Sequence, residues 1–540
     1  EIKTNDIQHQ KKLKDYEIQN YLENHNYIHA AKQARKWIER NTIQGKGIVI
    51  TSKQRTIYQE VTGYYIPTLL QWGVRDKAIS YAKYLCEIQE ESGAWLNGSQ
   101  NLESVFNTGQ VLRGLLAVAD IYPEACHHLI KGCDWLISNV NEEGRLVSTE
   151  GTTWTIGTNS EAIHLYCLPP LLEAGKKYGK QNYIETVNKV ADYYLREYSH
   201  DISNFMYLSH FYAYIMEALL DIGRKDVVED AMKKIAKIQR IDGAIPAYRN
   251  CHWVCSTGLF QLAIVWFKLG DGKRGNKAFD YAVKLQNKSG GWYGGYPARV
   301  YLSKEKKIPY CLNEKVTYFE NEEISWAVKY FFDALYYRQK CEFKQKAHTF
   351  IKHIDSEDPK YQAVLNELYK IEQIKKIPIK VADIGCGKGR YLKKMVLSHP
   401  DHLYYGIDIS AEVLKYVNST KIETRTGNLL NTGCKNDYFD LVYAAESIEH
   451  AIFIDLAVRE MYRITKVGGS IVVIDKDVEA FQTMKYREWF LPEELSTKQW
   501  LDTDEMINVF RKCGIDNMEI IDIPSHEGKM YKAYIGRKEK

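Results

Sequence analysis

A phrase that returns four times constrains the fold of this chain more than anything else in it: Ile88-Gln-Glu-Glu-Ser-Gly-Ala-Trp95, Val140-Asn-Glu-Glu-Gly-Arg-Leu146, Ile238-Gln-Arg-Ile-Asp-Gly-Ala-Ile245 and Leu285-Gln-Asn-Lys-Ser-Gly-Gly-Trp292. Each phrase ends an amphipathic helical pattern at a tight turn. Between the phrases lie more apolar helical stretches with small residues, among them Thr108 to Ala117, Phe211 to Leu220 and Thr257 to Val265. A period of roughly 50 residues, made of an outer helix, a glycine turn and an inner helix, marks a repeat array whose units bury a shared core. The spacing predicts a nearly all-α region from about residue 10 to 338, closing into a ring.

These turns resemble those of the double-layered α/α toroids shared by terpene cyclases, protein prenyltransferase β-subunits and several glycan-processing enzymes. The resemblance implies a fold, and function has to come from a site. A toroid gathers mouth-side residues at one end of its cavity, which makes Glu60, Tyr64, Trp154, His210, Trp253 and Glu323 the candidate substrate-binding residues. The carboxylates Glu60, Asp242, Glu320, Glu322 and Glu323 could serve acid–base chemistry on a glycan. No Asp-x-Asp-Asp motif of a protonating cyclase is present. Cys251-His-Trp-Val-Cys255 lacks the further ligand that a zinc site needs, so no metal is assigned.

The pattern changes after residue 338. Residues 339–376 read as a linker and leading helix, and residues 377–540 as a second domain of apolar runs alternating with helices: Ile379 to Ile384, Leu403 to Ile407, Phe439 to Tyr443, Ser470 to Ile474 and Met518 to Ile523, with a short strand from Ile422 to Arg425 between the second and third. That alternation predicts a mostly parallel sheet with helices on both faces. The first run leads into Asp383-Ile-Gly-Cys-Gly-Lys-Gly389, where glycines let the backbone turn sharply and approach a ligand. Alone, such a loop could equally bind a dinucleotide. Its spacing differs from Gly-x-Gly-x-x-Gly, and the second run ends at Asp408, where a carboxylate can accept from a ribose diol.

With Gly427-Asn-Leu-Leu430 and Tyr438-Phe-Asp-Leu-Val-Tyr-Ala-Ala-Glu-Ser-Ile-Glu-His450, these segments resemble class I S-adenosylmethionine-dependent methyltransferases over about 160 residues. The resemblance implies a Rossmann-like domain with S-adenosyl-L-methionine as cofactor. It places Gly385 and Gly387 at the amino-acid end of the cofactor, Asp408 at its ribose, Asn428 with Leu429 at its adenine, and Ala445 and Glu446 near the sulfonium, with Asp383, Cys386 and Ile409 also among the expected cofactor-binding residues. Asn428 replaces the usual Asp, and Val467 replaces the Pro expected before Gly468-Gly469. His450 at the edge of the fourth strand is a candidate base for a hydroxyl acceptor, with Glu449 beside it and Asp455 as its orienting group. Tyr486 and Trp489 are candidates for a lid over the acceptor.

Composition sets the outer limits. A chain of 540 residues calls for two or three domains, and no apolar run approaches a membrane span. The net charge of +4, with lysines interleaved among glutamates, argues against nucleic acid as a partner. Eleven scattered cysteines point to a reducing, cytoplasmic setting, and no signal peptide precedes the first helix, though the chain begins at Glu1. The expected activity is methylation of a saccharide, glycoconjugate or specialised metabolite on oxygen, with the helical domain binding this small-molecule or glycan acceptor. The alternatives are a bifunctional chain whose toroid is a polysaccharide epimerase, lyase or hydrolase, and a sensor or scaffold without catalysis.

Overall fold

The computed structural model describes residues 27–98, 101–147, 160–301, 309–311, 314–376, 378–479, 498–525 and 528–539. The chain divides into two compact units, one built on Ala30–Leu70 and Val74–Cys341, the other chiefly on Glu342–Lys540.

The first unit is mostly helical. Its helices are α1 Tyr27–Asn41, α2 Gln59–Gln71, α3 Arg75–Glu87, α4 Val105–Val118, α5 Ala125–Ser138, α6 Leu168–Tyr178, α7 Gln181–Glu197, α8 Ser199–Asn204, α9 Ser209–Asp221, α10 Lys225–Ile238, α11 Ser256–Leu269, α12 Gly272–Val283 and α13 Ser325–Gln345; a 3₁₀ segment, Glu161–Cys167, leads into α6. Two kinds of helix alternate. On α11 every residue from Ser256 to Phe267 is buried, and α2, α4 and α9 are buried nearly all round. On α10 only Val228, Ala231, Met232 and Ile235 are buried, the stripe of a helix with one face to the core.

The recurring phrases explain how the two kinds are joined. Gly93, Gly144, Gly243 and Gly290 have φ of 106°, 100°, 97° and 94°, where only glycine is comfortable. A Cβ on Gly93 or Gly144 would stand 2.6 Å from the carbonyl oxygen of Lys131 or Lys189, and on Gly243 or Gly290 closer still to that of Lys277 or Gln33. Each turn is thus seated on the backbone of a helix buried on one face: α5, α7, α12 and, for the fourth turn, α1. The glutamine four residues earlier repeats the link. Gln89 Nε2 donates to the carbonyls of Gly93 and His128, Gln239 Nε2 to those of Gly243 and Arg274, and Gln286 Nε2 to those of Gly290 and Ala30, all at 2.9–3.2 Å. Val140 holds the equivalent place in the second phrase and pairs with Leu146 across a short bridge instead. The first and last parts of this unit also meet through Tyr65 Oη, which donates to Ser325 O at 2.6 Å, and Thr68 Oγ1, which donates to Asp333 Oδ1 at 2.7 Å.

The second unit begins with α14 Pro359–Glu372. Then follow β1 Lys380–Ile384, α15 Arg390–Ser398, β2 Leu403–Asp408, α16 Ala411–Leu414, β3 Ile422–Thr426, β4 Phe439–Ala445, α17 Ile454–Ile464, β5 Thr465–Lys476, α18 Thr503–Lys512, β6 Met518–Ser525 and β7 Gly528–Arg537. The seven strands form one sheet in the order β3-β2-β1-β4-β5-β7-β6. Neighbours from β3 to β5 are parallel, while β7 runs antiparallel between β5 and β6. Strand β7 is absent from the sequence expectation. Its polar residues, such as Lys529, Lys532 and Arg537, break any apolar run, yet Ala533, Tyr534 and Ile535 are buried. Tyr361, Val364, Leu365 and Leu368 of α14 share a buried cluster with Val381, Leu441 and Val472 of the sheet.

Candidate functional site

The order of the parallel strands reverses beside β1, and in such sheets ligands sit beyond the carboxyl ends of the strands at that point. The loop there runs from Ile384 to α15 with Gly385, Gly387 and Gly389 at φ of 78°, 55° and 71°. Their surroundings differ. A Cβ on Gly385 would stand 2.5 Å from the Ser447 Cβ, whereas a Cβ on Gly387 would meet nothing within 4 Å. The Gly387 amide donates to Asp408 Oδ2, and the Ser410 amide to Asp408 Oδ1, each at 2.9 Å. A carboxylate has about four acceptor sites, so two backbone bonds orient Asp408 and leave sites for a diol.

Asp383 is buried, and burial pushes its carboxyl up to about 7, with the Asp408 charge adding and the Tyr443 hydroxyl and Arg390 opposing. Cys386 is also buried, which drives its thiol well above the ordinary value, and its sulfur lies against Gly406. Ile409 and Leu429 are half-buried, Leu429 beside the Gly385 turn. Ala445 ends β4. Glu446 follows it at φ 56°, and its carboxylate receives Arg390, the Tyr531 hydroxyl at 3.2 Å and Lys360 at 3.5 Å. Burial alone would raise Glu446, but Arg390, Lys360 and Lys476 together hold it below the usual carboxylate range.

Asn428 departs from expectation. Its Oδ1 accepts from the amides of Leu430 at 2.7 Å and Asn431 at 2.8 Å, so both lone pairs that would face an adenine amine hold the turn together.

Beyond β4, Glu449 is buried and its carboxylate lies 2.7 Å from Lys476 Nζ, 3.5 Å from His450 Nε2 and 3.7 Å from Lys498 Nζ. Its amide donates to Asp475 Oδ2 at 3.0 Å. Burial and the Glu449 charge push Asp475 up to about 7, while burial pulls His450 down to about 4 against the opposing pull of Glu449. The imidazole is therefore neutral at physiological pH, packed edge-on to Phe343, which falls in the Glu342–Lys540 stretch of the second unit, with ring centres 5.0 Å apart. Asp455 lies in the first turn of α17, where its charge reaches the Cys513 thiol. Sequence reasoning missed Arg390, Lys360, Tyr531, Lys476 and Asp475, which surround Glu446 and Glu449. Of these only Arg390, directly after the glycine loop, carried a positional signal.

In the helical unit, Glu60, Tyr64 and His210 share one buried neighbourhood. The charge of Glu60 adds to burial in raising the Tyr64 and Tyr214 phenols, and the His210 ring lies 4.6 Å from that of Tyr214. Burial drives His210 down to about 3. Two candidates are placed otherwise. The Glu323 carboxylate accepts from Trp37 Nε1 at 2.7 Å, Asn287 Nδ2 at 2.9 Å and the Ser289 hydroxyl, so it ties α1 to the fourth glycine turn and is not a free ligand group. Trp253 is buried and packed with Leu208, Ala247, Cys255 and Val316 in a small apolar cluster, a core position with half-buried Phe211 and Tyr318 against it. Trp154, Tyr486 and Trp489 lie outside the described residues.

Comparison with known proteins bears on the second unit. A methyltransferase-domain family profile matches residues 382–473, which covers β1 to most of β5. The chain is 28% identical over 170 residues to the sterol 24-C-methyltransferase ERG6A of Gibberella zeae, covering 30% of this chain and 41% of that protein. It is 23% identical over 121 residues to the malonyl-[acyl-carrier protein] O-methyltransferase of Legionella pneumophila, covering 22% and 43%. Among solved structures, the Haemonchus contortus phosphoethanolamine N-methyltransferase 2 in complex with S-adenosyl-L-methionine is 12% identical, with a TM-score of 0.27, covering 33% of this chain and 53% of that one. The chain thus spans less than half the length of the curated relatives it matches. The second unit is a class I methyltransferase domain, and the cofactor of that class is S-adenosylmethionine.

Proposed function

We propose that the chain is an S-adenosylmethionine-dependent methyltransferase that methylates an oxygen of a saccharide, glycoconjugate or specialised metabolite, with the helical unit binding the acceptor. The observation that supports the donor half most is the space over Gly387, a positive-φ glycine whose amide is bonded to the Asp408 carboxylate. In this reading Gly385 and Gly387 receive the amino-acid end of the cofactor, Asp408 with Ile409 its ribose, and Leu429 covers the adenine. Asp383 and Cys386 shape the loop from beneath. Bound cofactor supplies a sulfonium methyl group open to in-line attack.

The chain's own part is to place the acceptor and manage one proton. His450, neutral and held beside Glu449, takes the proton from the acceptor hydroxyl, and Glu449 offsets the imidazolium charge that results. Asp455 orients this edge from α17. The proposed divisions are residues 1–338, 339–376 and 377–540. The repeated seating of glycine turns on outer helices, ending with Gly290 on α1, supports a closed double-layered α/α ring for the first. Scattered cysteines support a cytoplasmic setting.

The convergence of Glu60, Tyr64 and His210 favours a second reading, in which the ring itself processes a polysaccharide. Glu60, rather than Glu323, would then be its acid or base. Isotope-labelled cofactor incubated with a cell extract and the purified protein tests the main reading: labelled methyl should enter one acceptor, and absence of S-adenosylmethionine binding in calorimetry would overturn it. Loss of a separate activity in Glu60→Gln with methylation intact would support the second.

A further inference from the structure

Deep in the helical unit, polar groups of different inner helices are joined side chain to side chain. Gln261 on α11 meets His210 Nδ1 at 2.6 Å and donates to Glu217 Oε1 at 3.0 Å, both on α9. The Tyr166 and Tyr330 hydroxyls lie 2.9 Å apart, and Lys329 Nζ is 2.7 Å from Asp333 on α13. Burying so many ionisable groups is costly unless each finds its complement.

One does not. The Arg113 guanidinium donates to Tyr166 O at 2.7 Å and to Gln110 Oε1 at 3.3 Å, and lies 4.2 Å over the centre of the Tyr166 ring, but it has no ion-pair partner among the described residues. The carboxylates whose charge reaches it are occupied elsewhere. Asp221 is paired with Lys268 at 2.7 Å, and Glu217 accepts from Gln261. Burial also pushes Glu217 up to about 7, so much of its negative charge is withheld at neutral pH. A second cation is near, since the Arg113 charge adds to burial in lowering Lys329. Arg113 nonetheless keeps part of its surface accessible to solvent. On α11, four residues before Gln261, the Thr257 hydroxyl is buried without a hydrogen-bond partner.

We propose that Arg113 anchors the carboxylate of a polyhydroxylated ligand of the uronic-acid kind within the inner helices of this unit. A planar guanidinium with unused N–H groups matches a carboxylate in two-point geometry. The Gln110 amide and the paired Tyr166 and Tyr330 phenols, all acting on Arg113, supply hydrogen-bonding groups suited to the hydroxyls of a sugar. The inference rests on the reading of the helical unit as acceptor-binding and names the class of acceptor.

Calorimetry on the full chain without cofactor tests it, with D-glucuronate, D-glucose, 4-hydroxybenzoate and inorganic phosphate as probes. D-Glucuronate should bind at least about tenfold more tightly than each of the other three, and Arg113→Gln should lose that preference while Arg113→Lys keeps part of it. No binding of D-glucuronate, equal binding of D-glucose, or tighter binding of either other anion overturns the proposal; these comparisons use the wild-type chain, so they stand even if Arg113→Gln fails to fold. S-Adenosylmethionine titrated into the same sample separates the two readings: if it binds and glucuronate does not, the site fails and the methyltransferase reading stands.

Discussion

The two units use glycine for opposite reasons. In the helical unit Gly93, Gly144, Gly243 and Gly290 are required because another backbone already fills the place of a side chain. In the methyltransferase unit Gly387 is required, on our reading, because the place must stay empty for a ligand. Both sit at positive φ and both interrupt a regular element, so the backbone angle alone does not tell them apart. What the missing Cβ would touch does.

That contrast can be broken by mutation. The largest effect on stability is expected for Gly243→Ala, which combines φ of 97° with a Cβ driven into the Lys277 carbonyl. It should cost about 3 kcal/mol in chemical denaturation while the affinity of the folded fraction for S-adenosylmethionine is unchanged. A loss below about 1 kcal/mol would mean that the turn is not locked on α12.

Next in size is a test of the methyl-transfer edge. His450→Gln should lower turnover about 100-fold with cofactor affinity retained. Because burial holds His450 near 4 in the folded chain, the wild-type rate should stay flat from about pH 5.5 to 8, without an inflection at the ordinary histidine value. The same depression gives a stability trend. Between about pH 6.5 and 4 the unfolded chain binds this proton and the folded chain does not, so the contribution of His450 to stability falls as pH falls through that window. An inflection near 6.5 in turnover, absent from His450→Gln, would show instead an exposed, chargeable ring.

Gly387→Ala is the counterpart of the first test, and its effect should appear in binding. Its φ of 55° lies in the left-handed region that other residues reach at about 1 kcal/mol, so folding should suffer little. The added methyl would project into the space above Asp408, and calorimetry should show about a tenfold loss of cofactor affinity. Unchanged affinity would place the cofactor away from this glycine.

Much of this was legible in sequence, and the boundary of legibility has a physical cause. Apolar runs revealed β1, β2, β4, β5 and β6 and the glycine spacing revealed the loop, because both are local patterns. Strand β7 escaped because Lys529 and Lys532 interrupt its apolar run, and the burial of Ala533, Tyr534 and Ile535 comes from pairing with β5 and β6, which no local pattern shows. Asn428 could be read as a ligand or as a turn cap from its position, and only the amides of Leu430 and Asn431 show where its oxygen is spent. Glu323 resembled a mouth-side acid, but its partners Trp37 and Asn287 are distant in sequence. Arg113, Glu217 and Lys329 look like ordinary polar positions of amphipathic helices; their significance arises from three helices converging.

The smallest expected effect tests whether the last glycine turn is equivalent to the others. Gln286 bridges the carbonyls of Gly290 and Ala30 as Gln239 bridges those of Gly243 and Arg274, although Ala30 is 256 positions away and Arg274 only 35. If α1 is simply the outer helix that the fourth turn needs, Gln286→Ala and Gln239→Ala should each cost about 1 kcal/mol for the lost bonds, within error of one another. Should Gln286→Ala be silent while Gln239→Ala is not, the first helix is only loosely held and the array is open at that seam. A markedly larger cost for Gln286→Ala would mean that the seam carries more of the cooperativity than a single turn does, as expected if closing the array is what makes the other turns stable.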